Sequence, residues 1–202
     1  MNKIITIGRE FGSGGRELGR RLAEELGIEY YDREILSQIA ERTSFTEQYI
    51  REVEARLPHP LHPITIGRSF FLPENQNLQQ AQTIFREQSQ ILRELAEKSD
   101  CVIVGRCGDY VLREYHPFRI FVYADLESKI RRCRKRCGDD AGLTEDEIQR
   151  QIRRIDRSRA KYYAYHTEQT WDNKENYDLC VNTTEIRIKE LAPILAQILR
   201  PL

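Results

Sequence analysis

Short apolar runs alternate along the chain with longer stretches in which apolar residues recur at helical spacing. The short runs are rich in β-branched and aromatic residues and predict buried strands at 3–8, 29–31, 101–105, 118–123 and 179–181. The longer stretches predict helices at 18–26, 33–57, 78–98, 126–137, 144–166 and 186–199. Strands that alternate with helices imply an α/β fold in which helices cover both faces of a parallel sheet.

Two irregularities interrupt this pattern. The helical stretch 33–57 is expected to break near Thr43, with Ser44 as the next N-cap and Glu47 completing a capping box. Residues 58–77 contain four of the seven prolines and show no convincing period, so we expect a long loop there.

Composition narrows the class of protein. The 202 residues are 40% hydrophobic and 32% charged, too apolar for a disordered chain and too charged for a membrane protein. The length favours one domain over 1–202. Lys+Arg and Asp+Glu both number 32, and without a basic excess we expect no nucleic-acid or membrane partner. The odd cysteine count of five and the lack of a secretory segment after Met1 predict a cytoplasmic protein with reduced thiols.

A glycine-rich turn stands between the first predicted strand and the first predicted helix. Three of its four residues are glycine, in the order Gly12, Ser13, Gly14 and Gly15. Such turns let backbone N–H groups approach an anion at a helix N-terminus. The sequence therefore predicts a phosphate-binding loop.

Two kinds of phosphate-binding loop compete for this sequence. In the dinucleotide fingerprint, Glu17 stands where the third glycine belongs, although Asp32 follows at the distance that this fold requires. In the P-loop pattern, Gly15 occupies the lysine position, Arg9 replaces the first glycine, and Glu17 lies near the hydroxyl position. The loop residues alone leave both kinds open.

Segments beyond the loop resemble the cytidylate kinase family, and specifically its cytidylate kinase-like branch. The loop and four later runs carry the resemblance, at 7–19, 30–36, 102–106, 162–167 and 176–179, together with Trp171. The resemblance implies a P-loop NTPase-type three-layer fold with a five-stranded parallel sheet and an arginine-rich helical lid. It also implies ATP-dependent phosphorylation of a nucleoside monophosphate, CMP or dCMP first, with Mg²⁺ as cofactor.

The glycine loop is the expected site for the donor. ATP and its metal ion would be held by Gly12, Ser13, Gly14, Gly15, Arg16 and Glu17. Arg16 is predicted to act in catalysis by replacing the missing lysine charge, with the fork geometry of a guanidinium. Glu17 is interpreted as a magnesium ligand or, equally, as an ordinary acidic residue of a first helical turn.

The acceptor is expected at the same edge of the sheet. Arg106 follows a buried strand where ligands of parallel sheets bind, and it is predicted to contact the acceptor phosphate. Asp32 and Arg33 follow the second strand and are predicted to meet the acceptor nucleoside or its phosphate. An acceptor-binding helical insertion is expected over 32–98.

Two basic helices complete the predicted site. Arginine and lysine residues are concentrated at 131–136 and recur at helical spacing over 150–161. Glycines lie between these two groups, at 138–142. This arrangement predicts a hinged lid over 126–166 or the phosphate stripe of a nucleic-acid binder. The resemblance favours the lid and implies catalytic roles for its arginines and substrate binding for its carboxylate. The matching residues are Arg132, Arg136, Arg157, Arg159 and Asp156.

Three rival functions stay open. The chain is alternatively a P-loop kinase of another small acceptor, or a non-catalytic nucleotide-binding regulator, as the missing lysine suggests. A dinucleotide-binding oxidoreductase is the third, disfavoured by Glu17 in place of the last glycine.

Overall fold

Five parallel strands form one sheet in the computed structural model, which describes residues 2–32, 34–55, 76–137 and 144–201. The strands are β1 (Ile4–Arg9), β2 (Glu29–Tyr31), β3 (Cys101–Val104), β4 (Phe118–Tyr123) and β5 (Leu179–Asn182). Their order across the sheet is β2-β3-β1-β4-β5, and all neighbouring pairs are parallel. The predicted α/β class and five-stranded parallel sheet are confirmed.

Helices connect the strands and follow the sheet. They are α1 (Gly15–Leu26), α2 (Glu34–Thr43), α3 (Glu47–Ala55), α4 (Gln76–Lys98), α5 (Gly108–Val111), α6 (Leu126–Cys137), α7 (Glu145–Thr167) and α8 (Ile188–Leu199). Short 3₁₀ turns lie at Arg113–Tyr115 and Lys174–Asn176. Among these described helices, none has the length and apolar character needed to cross a membrane.

The side chains of the strands alternate between two layers of helices. Ile5 and Ile7 of β1 pack in one cluster with α1 and α8, in which Leu18 is fully buried. Ile4, on the opposite face, packs in a second cluster with α2 and α4, in which Ile91 is fully buried. The sheet is therefore the middle of three layers, as predicted.

The break in the helical stretch 33–57 occurs where it is predicted, but the predicted cap is wrong. Thr46 caps α3, because its Oγ1 accepts a hydrogen bond from the Tyr49 amide at 3.2 Å. Ser44 has a φ of 59° and so adopts the left-handed conformation that ends a helix. An N-cap needs extended backbone, which excludes Ser44 from that role.

The two basic helices, α6 and α7, pack together beside the glycine loop. Ile130 of α6 is in one apolar cluster with Ile148 and Ile152 of α7, and Phe11 of the loop packs against it. The predicted connection at 138–142 lies outside the described residues, as does the predicted proline-rich loop up to residue 75. The acceptor-binding insertion and the lid stay predictions.

Candidate active site

The glycine loop joins β1 to α1 at the carboxyl edge of the sheet. Gly12 and Gly14 have φ angles of 80° and 86°, in the left-handed region that side chains disfavour. Ser13 is fully buried, and its Oγ donates to the Glu10 carbonyl oxygen at 2.9 Å. The Ser13 side chain therefore braces the loop from within.

Backbone amides of this loop are available to a ligand. Within the described residues, the amides of Gly12, Gly14 and Arg16 donate to no protein acceptor. The hydrogen bonding of α1 begins where the Leu18 amide donates to the Gly14 carbonyl oxygen at 2.9 Å. Unpaired N–H groups and the dipole of a helix N-terminus both attract anions. The loop can therefore hold phosphate oxygens.

Asp32 forms ion pairs with two arginines beside the loop. Its Oδ2 lies 2.5 Å from Arg16 Nε, and its Oδ1 lies 3.5 Å from Arg9 Nη2. Asp32 is buried, whereas the Arg16 side chain is 44% exposed. Arg16 thus lies at the loop as predicted but is paired with Asp32, and Arg33 lies outside the described residues.

Two cavities open at the carboxyl edge and meet at shared residues. The loop cavity, of about 450 Å³, lies over the glycine loop. The inner cavity, of about 400 Å³, lies beyond the end of β3, next to Arg106 and Tyr162. The residues that line both cavities are Arg9, Arg16, Asp32 and Arg159.

β3 ends in three consecutive residues with left-handed backbone. Gly105, Arg106 and Cys107 have φ angles of 78°, 62° and 52°, and the last two conformations are costly because these residues carry side chains. The turn places Arg106 in the inner cavity, where its Nη1 lies 2.5 Å from Glu54 Oε1. Burial lowers the pKa of Arg106, but the groups around it, Glu54 first among them, together outweigh burial, so this pKa lies above its ordinary value.

Two residues predicted for the lid attach α7 to the glycine loop. Asp156 Oδ1 accepts a hydrogen bond from the Phe11 amide at 2.6 Å, and Arg159 Nη1 donates to the Arg9 carbonyl oxygen at 2.9 Å. Burial raises the pKa of Asp156 and lowers the pKa of Arg159. Asp156 therefore supports the loop backbone, while Arg159 reaches both cavities.

The other predicted arginines of α6 and α7 take different positions. Arg132 donates to the Ser13 carbonyl oxygen at 3.5 Å and to Thr183 Oγ1 at 3.3 Å, so it anchors the loop to the chain after β5. Arg136 lines the loop cavity. Arg157 is exposed and lines a third cavity with other basic residues of α7, outside both cavities described above. The predicted catalytic role of Arg157 would require α7 to move.

Glu17, the predicted magnesium ligand, lines the loop cavity. Its side chain is about half exposed at 49%, and its Oε1 lies 2.8 Å from Arg21 Nε. No group of three His, Cys, Asp or Glu residues in the described ranges can hold a metal ion. Magnesium keeps several waters and takes one or two carboxylates together with substrate phosphates. A single carboxylate beside a phosphate-binding loop fits that requirement.

The side chains that hold the predicted residues in place were not predicted from the sequence. Glu54 is 52 residues from its partner Arg106, and Gln88 Nε2 donates to the Arg106 carbonyl oxygen at 2.9 Å. Lys129 of α6 lies with its Nζ 3.0 Å from Glu10 Oε2, beside the loop. Only the tertiary fold brings these partners together, so no local pattern marks them.

Replacing Asp156 by alanine is expected to lower the free energy of unfolding by about 2 kcal/mol, because the Phe11 amide loses its acceptor. The loop would also bind an anion such as pyrophosphate less tightly. Asp156→Asn retains an oxygen for Phe11 and is expected to recover most of the loss. Urea unfolding and calorimetric pyrophosphate titration measure the two effects. Equal losses in both variants would contradict the hydrogen-bonding role.

A sequence model of the cytidylate kinase-like family matches residues 4–185. The chain belongs to the cytidylate kinase-like family. This assignment decides between the two kinds of glycine loop, and the loop of this family member is a divergent P-loop. A search of curated proteins found no match.

Solved structures share the fold of this cytidylate kinase-like chain. An uncharacterized protein from Eubacterium ventriosum ATCC 27560 superposes with a TM-score of 0.71 at 24% identity, covering 98% of both chains. A shikimate kinase from Bacteroides thetaiotaomicron superposes with a TM-score of 0.58 at 17% identity, covering 99% of both chains. A shikimate kinase from Acinetobacter baumannii, in complex with shikimate, gives 0.53 at 18% identity, covering 98% of this chain and 92% of its own. The fold is that of P-loop kinases.

Proposed function

We propose that this protein transfers the γ-phosphoryl group of ATP to a nucleoside monophosphate, with CMP or dCMP as the acceptor. The observation that carries the proposal is the meeting of two cavities at three arginines and a carboxylate. Phosphoryl transfer needs a donor and an acceptor in line, with positive charge around the group in transit. The shared residues supply that charge at the junction.

The donor belongs in the loop cavity. Free amides of Gly12, Gly14 and Arg16 can bind its phosphate oxygens. Glu17 would hold magnesium there, and the ion would supply charge neutralisation on the donor phosphates. Arg136, which lines the same cavity, adds a cation from α6.

The charge of the inner cavity supports an anionic acceptor. Among its described lining residues, five arginines face three carboxyl groups: Arg9, Arg16, Arg51, Arg106 and Arg159 against Asp32, Glu54 and Asp109. Burial raises the pKa of Asp109, which further reduces the negative charge in the inner cavity. A phosphate monoester with about two negative charges balances this excess, whereas a neutral acceptor does not.

Family membership supports the choice of acceptor. The cytidylate kinase-like family points to CMP or dCMP among the monophosphates. Aromatic side chains line the inner cavity and give it an apolar wall suited to a nucleoside. They are Tyr162, Tyr163, Trp171 and Tyr177. We place the reaction in the cytoplasm, with free nucleotides as partners.

One assay tests the proposal and its rivals. The protein is incubated with ATP, magnesium and each of CMP, dCMP, UMP, AMP, GMP and shikimate, and both products are quantified by chromatography. We expect ADP and CDP in equal amounts from CMP, and no ADP without an acceptor or after chelation of magnesium. Tight ATP binding without turnover of any acceptor would contradict the proposal and favour a regulator. Binding of NAD but not ATP would favour the oxidoreductase.

A kinase of a different small acceptor is the second candidate. Asp32 favours it, because a buried carboxylate at the junction of the cavities is placed to receive the proton of a hydroxyl acceptor. Its pairing with Arg16 at 2.5 Å favours instead a role in orienting arginines. Turnover of shikimate or another alcohol, with none of the monophosphates, would establish this candidate.

A further inference from the structure

Arg9 occupies the space that a lysine side chain at position 15 would need. A Cβ atom on Gly15 would lie 2.6 Å from Arg9 Cβ and 3.2 Å from Val122 Cβ. Contacts below 3.0 Å are not tolerated between such atoms, so residue 15 must be glycine as long as residue 9 carries a Cβ atom, as Arg9 does. The missing lysine is thus a steric consequence of the preceding strand.

The guanidinium of Arg9 lies against Gly105, the residue that follows β3. A Cβ atom on Gly105 would overlap Arg9 Nη1, the tightest such contact at any glycine for which the structure gives neighbours. Arg9 therefore runs from Gly15 to Gly105, across the junction of the loop and inner cavities. Both glycines leave room for this one side chain.

The charge of Arg9 is only partly balanced. Its side chain is 15% exposed, and its ion pair with Asp32 is long at 3.5 Å, whereas Arg16 lies close to the other oxygen of Asp32. Burial, followed by the neighbouring charge of Arg159, lowers the pKa of Arg9 to about 9. A buried cation that lacks a close partner is unfavourable unless an anion binds beside it.

We propose that Arg9 carries the positive charge that the P-loop lysine carries elsewhere, and that it contacts the phosphoryl group in transit between the two cavities. This inference rests on the proposed function and names a catalytic residue for it. Arg16, which is half-exposed and paired with Asp32, then contributes less to catalysis than Arg9. The cation has moved from the first turn of α1 to the end of β1.

A charge-relocation experiment tests the inference. Arg9→Gly removes the cation and the steric obstacle together, and we expect kcat to fall about 100-fold or more, the usual effect of losing one group that stabilises the transition state. Gly15→Lys alone introduces the clash and is expected to lower the melting temperature. The double variant Arg9→Gly/Gly15→Lys is expected to regain at least a tenth of wild-type kcat and most of the melting temperature.

A second readout does not depend on turnover. Calorimetric binding of pyrophosphate is expected to weaken at least tenfold in Arg9→Gln and to change less than threefold in Arg187→Gln, whose side chain is 75% exposed just before α8. Wild-type kcat in Arg9→Gln, or a double variant no more active than Arg9→Gly, would overturn the inference. If wild-type protein phosphorylates no acceptor but Arg9→Gln still loses pyrophosphate, the proposed function and the catalytic role of Arg9 fail, and only its assignment as the phosphate-binding cation of the loop stands.

Discussion

Replacing Arg106 by glutamine is expected to raise the KM for the acceptor about 100-fold while the KM for ATP stays within threefold. Arg106 lines the inner cavity and not the loop cavity, so its loss affects one substrate. A charged hydrogen bond to phosphate contributes about 1.5–3 kcal/mol, and the loss of one such bond accounts for a change of about 100-fold. Initial rates over a matrix of ATP and acceptor concentrations separate the two constants.

The control for Arg106 is Arg113→Gln, because Arg113 lies over the Tyr110 ring at 4.5 Å and lines neither cavity. Both constants are expected to stay unchanged in that variant. Thermal unfolding of Arg106→Gln tests whether loss of the fold is the cause. We expect the fold to persist, because Gln88 binds the backbone carbonyl oxygen of residue 106, which the substitution retains. An equal rise in both KM values would contradict the assignment of Arg106 to the acceptor.

Asp32→Asn is expected to lower the free energy of unfolding by about 3 kcal/mol at neutral pH and low salt. Asp32 pairs with Arg9 and Arg16, and its neutralisation leaves the buried cation Arg9 without an ion-pair partner among the described residues. Breaking one side of a buried pair costs about 3–5 kcal/mol. The lower end applies because Arg16 is 44% exposed and water screens its charge. Urea unfolding measures the loss.

Two further measurements identify the cause of this loss. Saturating pyrophosphate is expected to stabilise Asp32→Asn more than the wild type, because the anion replaces the lost carboxylate. Adding Arg9→Gln to Asp32→Asn is expected to recover most of the stability. Glu24→Gln, which breaks the exposed pair with Arg20, is expected to change it by less than about 0.5 kcal/mol. A double variant less stable than Asp32→Asn would refute the electrostatic explanation.

Strand positions were predictable because burial on both faces leaves a strong local signal. β1, β3 and β4 are short β-branched runs, and Val102 to Val104 are almost completely buried. The glycine loop was predictable for a similar reason, since positive φ angles require glycine at fixed positions. The cap of α3 was not, because Ser44 and Thr46 have similar propensities and only the closing turn of α2 distinguishes them.

From the residues alone, the position of a site residue was predictable where it follows a strand or belongs to the glycine loop. Arg106 and Asp32 lie at the carboxyl edge as strand order requires, and both line the inner cavity. The role of Arg9 depends on how closely it approaches Gly105, which lies 96 positions along the chain and which spacing cannot reveal. The incomplete P-loop pattern was the one sequence signal that pointed to it.

The contacts between the glycine loop and the helices α6 and α7 constrain how this end of the molecule can move. Four side chains of these helices bind residues 9–13, namely Arg132, Lys129, Asp156 and Arg159. A rigid-body rotation of both helices away from the loop would break every one of these bonds at once. Bending restricted to the remote ends, near Arg134 and Glu145, would break none of them. A displacement of these remote ends therefore leaves the glycine loop and its contacts with both helices undisturbed.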